Sequence, residues 1–75
     1  MTGDGGLVPV TLVVDAGTVR RGDEILMGGQ VLTVRDLRAV GRGGRFLEFA
    51  SGETFTMRPS TVLWATRRVS PRVRA

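Results

Sequence analysis

The chain has 75 residues, eleven of them Gly and eleven of them Arg, with no Cys, His, Lys or Tyr. A single domain is all this length supports, with a small core, since a chain of about 60 to 75 residues buries only about 60% of the surface exposed by its unfolded form. The missing residue types exclude disulfides, Cys/His zinc cages, Cys nucleophiles, Ser-His pairs and Schiff-base lysines; the expectation is a non-enzymatic protein with no cofactor and no metal.

The net charge of +4 is unevenly placed. Residues 1–15 hold two acids and no Arg, residues 16–53 hold six Arg and five acids, and residues 54–75 hold five Arg and no acid. An Arg surplus gathered at one end of the chain is the pattern of a polyanion-binding surface, and also what codon bias in a GC-rich genome produces. The start, Met1 to Gly6, has no basic segment ahead of a long apolar run, and no stretch approaches the roughly 18 to 20 apolar residues that cross a bilayer. The expected setting is cytoplasmic, with no membrane partner.

In chain order, helical periodicity is missing and short β-branched runs alternate with Gly, so the sequence reads as all-β. Residues 1–6 are expected to be a disordered N-terminus. Leu7 to Asp15 forms a first strand whose Val8, Val10, Leu12 and Val14 share a face by the two-residue period, with Val13 breaking the alternation. Asp15-Ala16-Gly17 is a turn, and Thr18 to Asp23 is a loop in which the Asp23 side chain orders the Gly22 turn.

Gly28-Gly29 lies between two apolar runs, and both central positions of a type I′ hairpin turn need positive φ, which glycine adopts freely. This places Met27 opposite Gln30, Leu26 opposite Val31, Ile25 opposite Leu32 and Glu24 opposite Thr33. Ile25, Leu32 and Val34 then face the core, Leu26 and Val31 face away, and a bulge is expected near Asp36.

Gly41 to Gly44 is the next turn. For the hairpin joining Arg45–Phe49 to Thr54–Arg58, a three-residue loop with Gly52 in the left-handed position is expected to pair Phe49 with Phe55 and Leu47 with Met57, giving a clean apolar face. Phe46 then lies opposite Arg58 and Glu48 opposite Thr56, on the outer face. Pro59-Ser60-Thr61 interrupts pairing because proline donates no hydrogen bond. Val62 to Arg67 closes the domain, which spans 7–67, and 68–75 is a basic flexible tail.

Several words resemble those of SH3-like small barrels, including the KOW and integrase C-terminal types. They are Val19-Arg20-Arg21-Gly22-Asp23-Glu24-Ile25, a loop ending in Gly-Asp that starts a strand, and Thr54 to Arg67, a strand, a Pro-containing turn and a final strand. The likeness covers residues 18–67. It implies a barrel of five to six short antiparallel strands with mobile termini, acting as a binding module for RNA, DNA or peptides. With no Tyr and only Trp64, the chain departs from the aromatic groove that peptide-binding SH3 domains use for Pro-rich ligands.

The candidate nucleic-acid-binding residues are Arg42, Arg45, Phe46, Arg58, Trp64, Arg67 and Arg68. Arg neutralises phosphate with a planar fork and can stack, while an exposed aromatic offers a platform worth ~1 to 3 kcal/mol per base. Trp64 either fills the core or stands exposed, because Val62/Trp64 and Leu63/Ala65 both make an inward pair. Gly41 to Arg45 resembles an RGG element, and Gly at these positions also serves the hairpin turn itself. Arg67, Arg68, Arg72 and Arg74 form a basic run that would give a salt slope approaching roughly −3 to −4 if all contact phosphate. Asp23-Glu24 is an adjacent carboxylate pair with no third metal ligand nearby, and Arg21-Gly22-Asp23 is taken as a chance tripeptide.

The expected function is nucleic-acid binding, to DNA or RNA, through backbone phosphates with weak sequence preference, at dissociation constants on the order of 10⁻⁴ to 10⁻⁶ M. The alternative is a protein-interaction or homo-oligomeric module that meets its partner through Leu26 and Val31.

Overall fold

The computed structural model describes residues 7–70. Six strands form one antiparallel sheet: β1 (Val8–Asp15), β2 (Glu24–Met27), β3 (Gln30–Val40), β4 (Gly44–Phe49), β5 (Thr54–Met57) and β6 (Val62–Val69). Their spatial order is β1-β6-β2-β3-β4-β5. The sheet does not close, so among the described residues β1 and β5 are both edges and the expected barrel is open.

The β2–β3 hairpin has the expected register, Met27 opposite Gln30 through Glu24 opposite Thr33. Gly28 and Gly29 have φ of 58° and 80°, the region that favours glycine and that a two-residue turn of this hand requires. The register shifts between Val34 and Asp36 where β3 passes from β2 to β4. Backbone bonds fasten the 16–23 loop there: the Gly22 N–H donates to the Val34 carbonyl and the Val34 N–H to the Asp23 carbonyl, both at 2.8 Å.

The β4–β5 register differs from the expected one. Leu47 pairs with Phe55, Arg45 with Met57, Phe46 with Thr56 and Glu48 with Thr54. The loop does have three residues, and Gly52 is left-handed at φ 96°, but such a loop closes Phe49 against Glu53, whose carbonyl accepts the Phe49 N–H at 2.8 Å. The strands are therefore two residues out of the expected alignment. A slip of two preserves side-chain parity, so the apolar face survives, while Phe46 no longer lies opposite Arg58.

The core comprises Val14, Ala16, Val19, Ile25, Val34, Leu47, Phe49, Met57 and Ala65, with Leu12, Leu32, Leu37, Phe55 and Leu63 packed against it. At the β1 end the structure qualifies one expectation and corrects another. Val8 and Val10 have inward parity but are each 42% exposed. The reason is that β2 pairs with β6 only at Glu24/Thr66 and Ile25/Ala65, so β1 and β6 run on past it as a two-stranded ribbon. Strand β6 also continues to Val69, pairing Arg68 with Pro9 and Val69 with Val8; Arg68 belongs to the sheet. The expectations for residues 1–6, and for Arg72 and Arg74 in the tail, fall outside the described residues.

Candidate nucleic-acid interface

The seven residues singled out from the sequence divide into two groups. On β6, alternation sends Leu63, Ala65 and Arg67 inward, and Val62, Trp64, Thr66 and Arg68 outward. Trp64 is therefore exposed, which resolves the choice left open by the two inward pairs. Arg67 is not available as a surface cation. Its Nε donates to Asp23 Oδ1 at 2.7 Å and its Nη2 to Asp23 Oδ2 at 2.8 Å and to the Thr18 carbonyl at 2.9 Å.

Asp23 is 1% exposed, and its Oδ2 also accepts the Arg20 N–H at 2.9 Å. Hence Asp23 orders its loop as expected, and in addition clamps it to β6. The Asp23 hydrogen bonds hold the Arg67 pKa above its ordinary value, outweighing the burial that acts in the opposite direction. A two-pronged contact of this kind is the stronger class of ion pair, and removing either partner strands a buried charge.

The second group gathers around the β3–β4 turn. Outward positions on β3 beyond the bulge and on β4 place Arg38 opposite Phe46, and the Arg38 guanidinium carbon stands 5.0 Å from the Phe46 ring centroid. Arg42 occupies the turn. Arg58 follows β5, where its N–H donates to Thr61 Oγ1 at 2.9 Å to open the Pro59 turn. The two turns lie close together, since a Cβ added at Gly43 would stand 3.5 Å from the Pro59 ring. Arg45 points the other way, its Nε donating to the Ala16 carbonyl at 2.9 Å.

Ion pairing separates the groups further. Arg21 pairs with Asp36, Arg35 with Glu48, Arg67 with Asp23 and Arg68 with Glu24. Arg38, Arg42 and Arg58 have no carboxylate partner among the described residues. The Arg21 guanidinium and the Leu37 N–H hold the Asp36 carboxyl below its usual range. Asp36 and Glu48, the acids nearest the Arg38/Phe46 pair in register, are thus already engaged with other cations.

Trp64, though on β6, stands apart from the second group. It lies opposite Val13 on β1, the β6–β2 register carries Leu26 to its other side, and Leu26 lies opposite Val31. Val13, Trp64, Leu26 and Val31 form one outward row across four strands, 50%, 59%, 56% and 61% exposed. Next to it runs a polar row of Thr11, Thr66, Glu24 and Thr33. Val31 and Arg38 are seven residues apart on β3, or about 23 Å at the rise of a strand, so Trp64 and Phe46 do not share a platform.

Sequence reasoning missed Asp23 as a buried anchor and Arg38 as the neighbour of Phe46. Arg67 carried a usable signal: once Leu63 and Ala65 are the inward pair, an Arg of the same parity needs a buried acceptor. Among the described residues, no helix is long and apolar enough to cross a membrane and no group of three or more acids could hold a metal ion. The chain matches no protein-family model, no curated protein and no solved structure.

Proposed function

We propose that this protein is a non-enzymatic nucleic-acid-binding module related to the SH3-like small barrels, and that it binds backbone phosphates through Arg38, Arg42 and Arg58 with Phe46 beside them. The observation that carries this reading is that those three arginines have no carboxylate partner among the described residues, with Arg38 standing over the Phe46 ring. Cations held by no carboxylate release counterions when they meet phosphate, which is the main source of non-specific affinity. The Arg38 guanidinium over Phe46 presents a flat surface on which a base can stack, a contact that tolerates any sequence. Kinship with the SH3-like barrels is supported by β2 to β6, which lie almost wholly within residues 18–67 and run as a meander until β6 returns to pair with β2. Titration of labelled single- and double-stranded DNA and RNA at two salt concentrations tests the function. Salt-sensitive binding with little sequence preference is expected, and its absence even at low salt refutes the reading.

A second reading, a protein-interaction module, is favoured by a different observation, the Val13–Trp64–Leu26–Val31 row. Exposed apolar patches of this kind mark interaction surfaces, and a Trp at their centre is the residue type that most often dominates binding energy. A shift of Trp64 emission on addition of a protein partner, with none on addition of oligonucleotide, would favour this reading over the first.

A further inference from the structure

We infer that β1 is a self-association edge, along which two copies of this chain pair antiparallel into one continuous sheet. The inference rests on a strand edge rather than on the outward apolar row, and it is independent of the nucleic-acid reading.

The two edges of the sheet are built differently. Strand β5 has four residues, and Glu53, Arg58 and Pro59 bracket it. Short length, flanking charge and proline are the devices by which sheets keep an edge from pairing. Strand β1 has eight residues, VPVTLVVD, with no charge before Asp15 and Pro9 as the one interruption. Its side away from β6 offers a row of backbone donors and acceptors with no strand beside it among the described residues. β1 also lies outside the 18–67 meander, as an added strand on the free side of β6.

A chain of net charge +4 repels itself, but β1 carries no cation of its own, and the Arg68 guanidinium beside it lies 3.6 Å from Glu24. Two β1 strands can therefore meet without opposing cations within the paired segment.

Side-chain parity then restricts the register. In a continuous antiparallel sheet, directly opposed residues share a face, so inward Leu12 must face an inward residue of the second copy. For a two-fold axis near the middle of β1, two alignments qualify. Centred on Leu12, Val10 faces Val14 of the second copy and Thr11 faces its Val13. Centred on Thr11, Val8 faces Val14 and Val10 faces Leu12. Both bring Val10, exposed on the ribbon beyond β2, alongside Leu12 or Val14, which border the other copy's core. The added strand thereby gives the ribbon the cover that β2 is too short to provide.

The test is sedimentation equilibrium of the full chain, with far-UV circular dichroism to verify folding. Parent protein is expected to show a monomer–dimer equilibrium, Val10→Lys to weaken it at least tenfold, and Thr33→Lys, an exposed position on β3 away from β1, to leave it unchanged. A strictly monomeric parent at millimolar concentration overturns the inference, as does a dimer that survives Val10→Lys in a folded chain or is lost with Thr33→Lys alone. Because the chain has no Cys, Thr11→Cys/Val13→Cys gives a second readout on a chain that keeps Val10. A short bifunctional thiol reagent should link its two copies under either alignment, whereas Thr11→Cys alone links them only if the axis passes through Thr11. No dimer-specific linking of the double variant contradicts β1 pairing. Oligonucleotide binding by a monomeric parent would defeat this inference while leaving the nucleic-acid reading intact.

Discussion

Arg67 and Arg58 look alike in the sequence, both in the acid-free last third of the chain, yet they do opposite work. Arg67 is directed inward against a buried carboxylate and ties the 16–23 loop to β6. Arg58 follows β5, exposed and without a carboxylate partner among the described residues. The same division separates Arg45, held by the Ala16 carbonyl, from Arg42 in the adjoining turn. Total charge therefore overstates the binding surface, and strand parity decides which cations are available to a ligand.

Removing Arg67 should expose this difference most strongly. Arg67→Ala leaves Asp23 buried and uncompensated, at a cost of about 3 to 5 kcal/mol, enough to unfold much of so small a domain at room temperature. Urea denaturation followed by Trp64 emission measures it. Asp23→Asn/Arg67→Met is expected to be more stable than Arg67→Met alone, since no lone charge remains buried; equal stability would show that the ion pair is not the anchor. A triple Arg45/Arg58/Arg67 replacement would therefore confound binding with unfolding.

Arg45→Ala comes next, at about 1.5 to 3 kcal/mol for a charge-assisted hydrogen bond whose buried acceptor loses its partner. Its urea midpoint should lie clearly below that of Arg42→Ala. By contrast, Arg42→Ala/Arg58→Ala should stay within about 0.5 kcal/mol of the parent, as exposed positions away from structural features do. A large loss there would mean that these arginines also serve the fold.

Asp36 gives the smallest effect. Its pKa is depressed in the folded chain by the Arg21 hydrogen bond first and the Leu37 N–H second, so its stabilisation is present above the unfolded carboxylate pKa and is lost as pH falls through the folded value. On acidification the urea midpoint of Asp36→Asn should decline less than that of the parent. An identical decline would remove Asp36 from the acid response.

How far the sequence discloses this arrangement depends on whether the deciding interaction is local. The Gly28-Gly29 turn fixes both loop length and register, so its hairpin was legible residue by residue, as was the bulge at Asp36. The β4–β5 alignment was not, because registers two residues apart bury the same side chains and differ only in how the loop closes. Trp64 was ambiguous because its strand is apolar on both alternating sets. The Asp23–Arg67 bond joins residues 44 apart in sequence, and it becomes visible only once the inward set of β6 is known. Of the seven candidate binding residues, Arg42, Phe46 and Arg58 fall around one turn; Trp64 and Arg68 lie on another part of the sheet, and Arg45 and Arg67 are drawn into the fold.

The central claim is that unpaired arginines at the β3–β4–β5 face bind while paired ones hold the structure. Its most direct test is the dependence of log K on log salt for a single-stranded oligonucleotide, measured on the parent and on Arg38→Ala/Arg42→Ala/Arg58→Ala. Three phosphate contacts on a single strand give the parent a slope of about −2; the expected result for the variant is a slope near zero with a urea midpoint close to the parent's. A variant that keeps the parent's slope, or a parent whose binding does not respond to salt, would contradict the account.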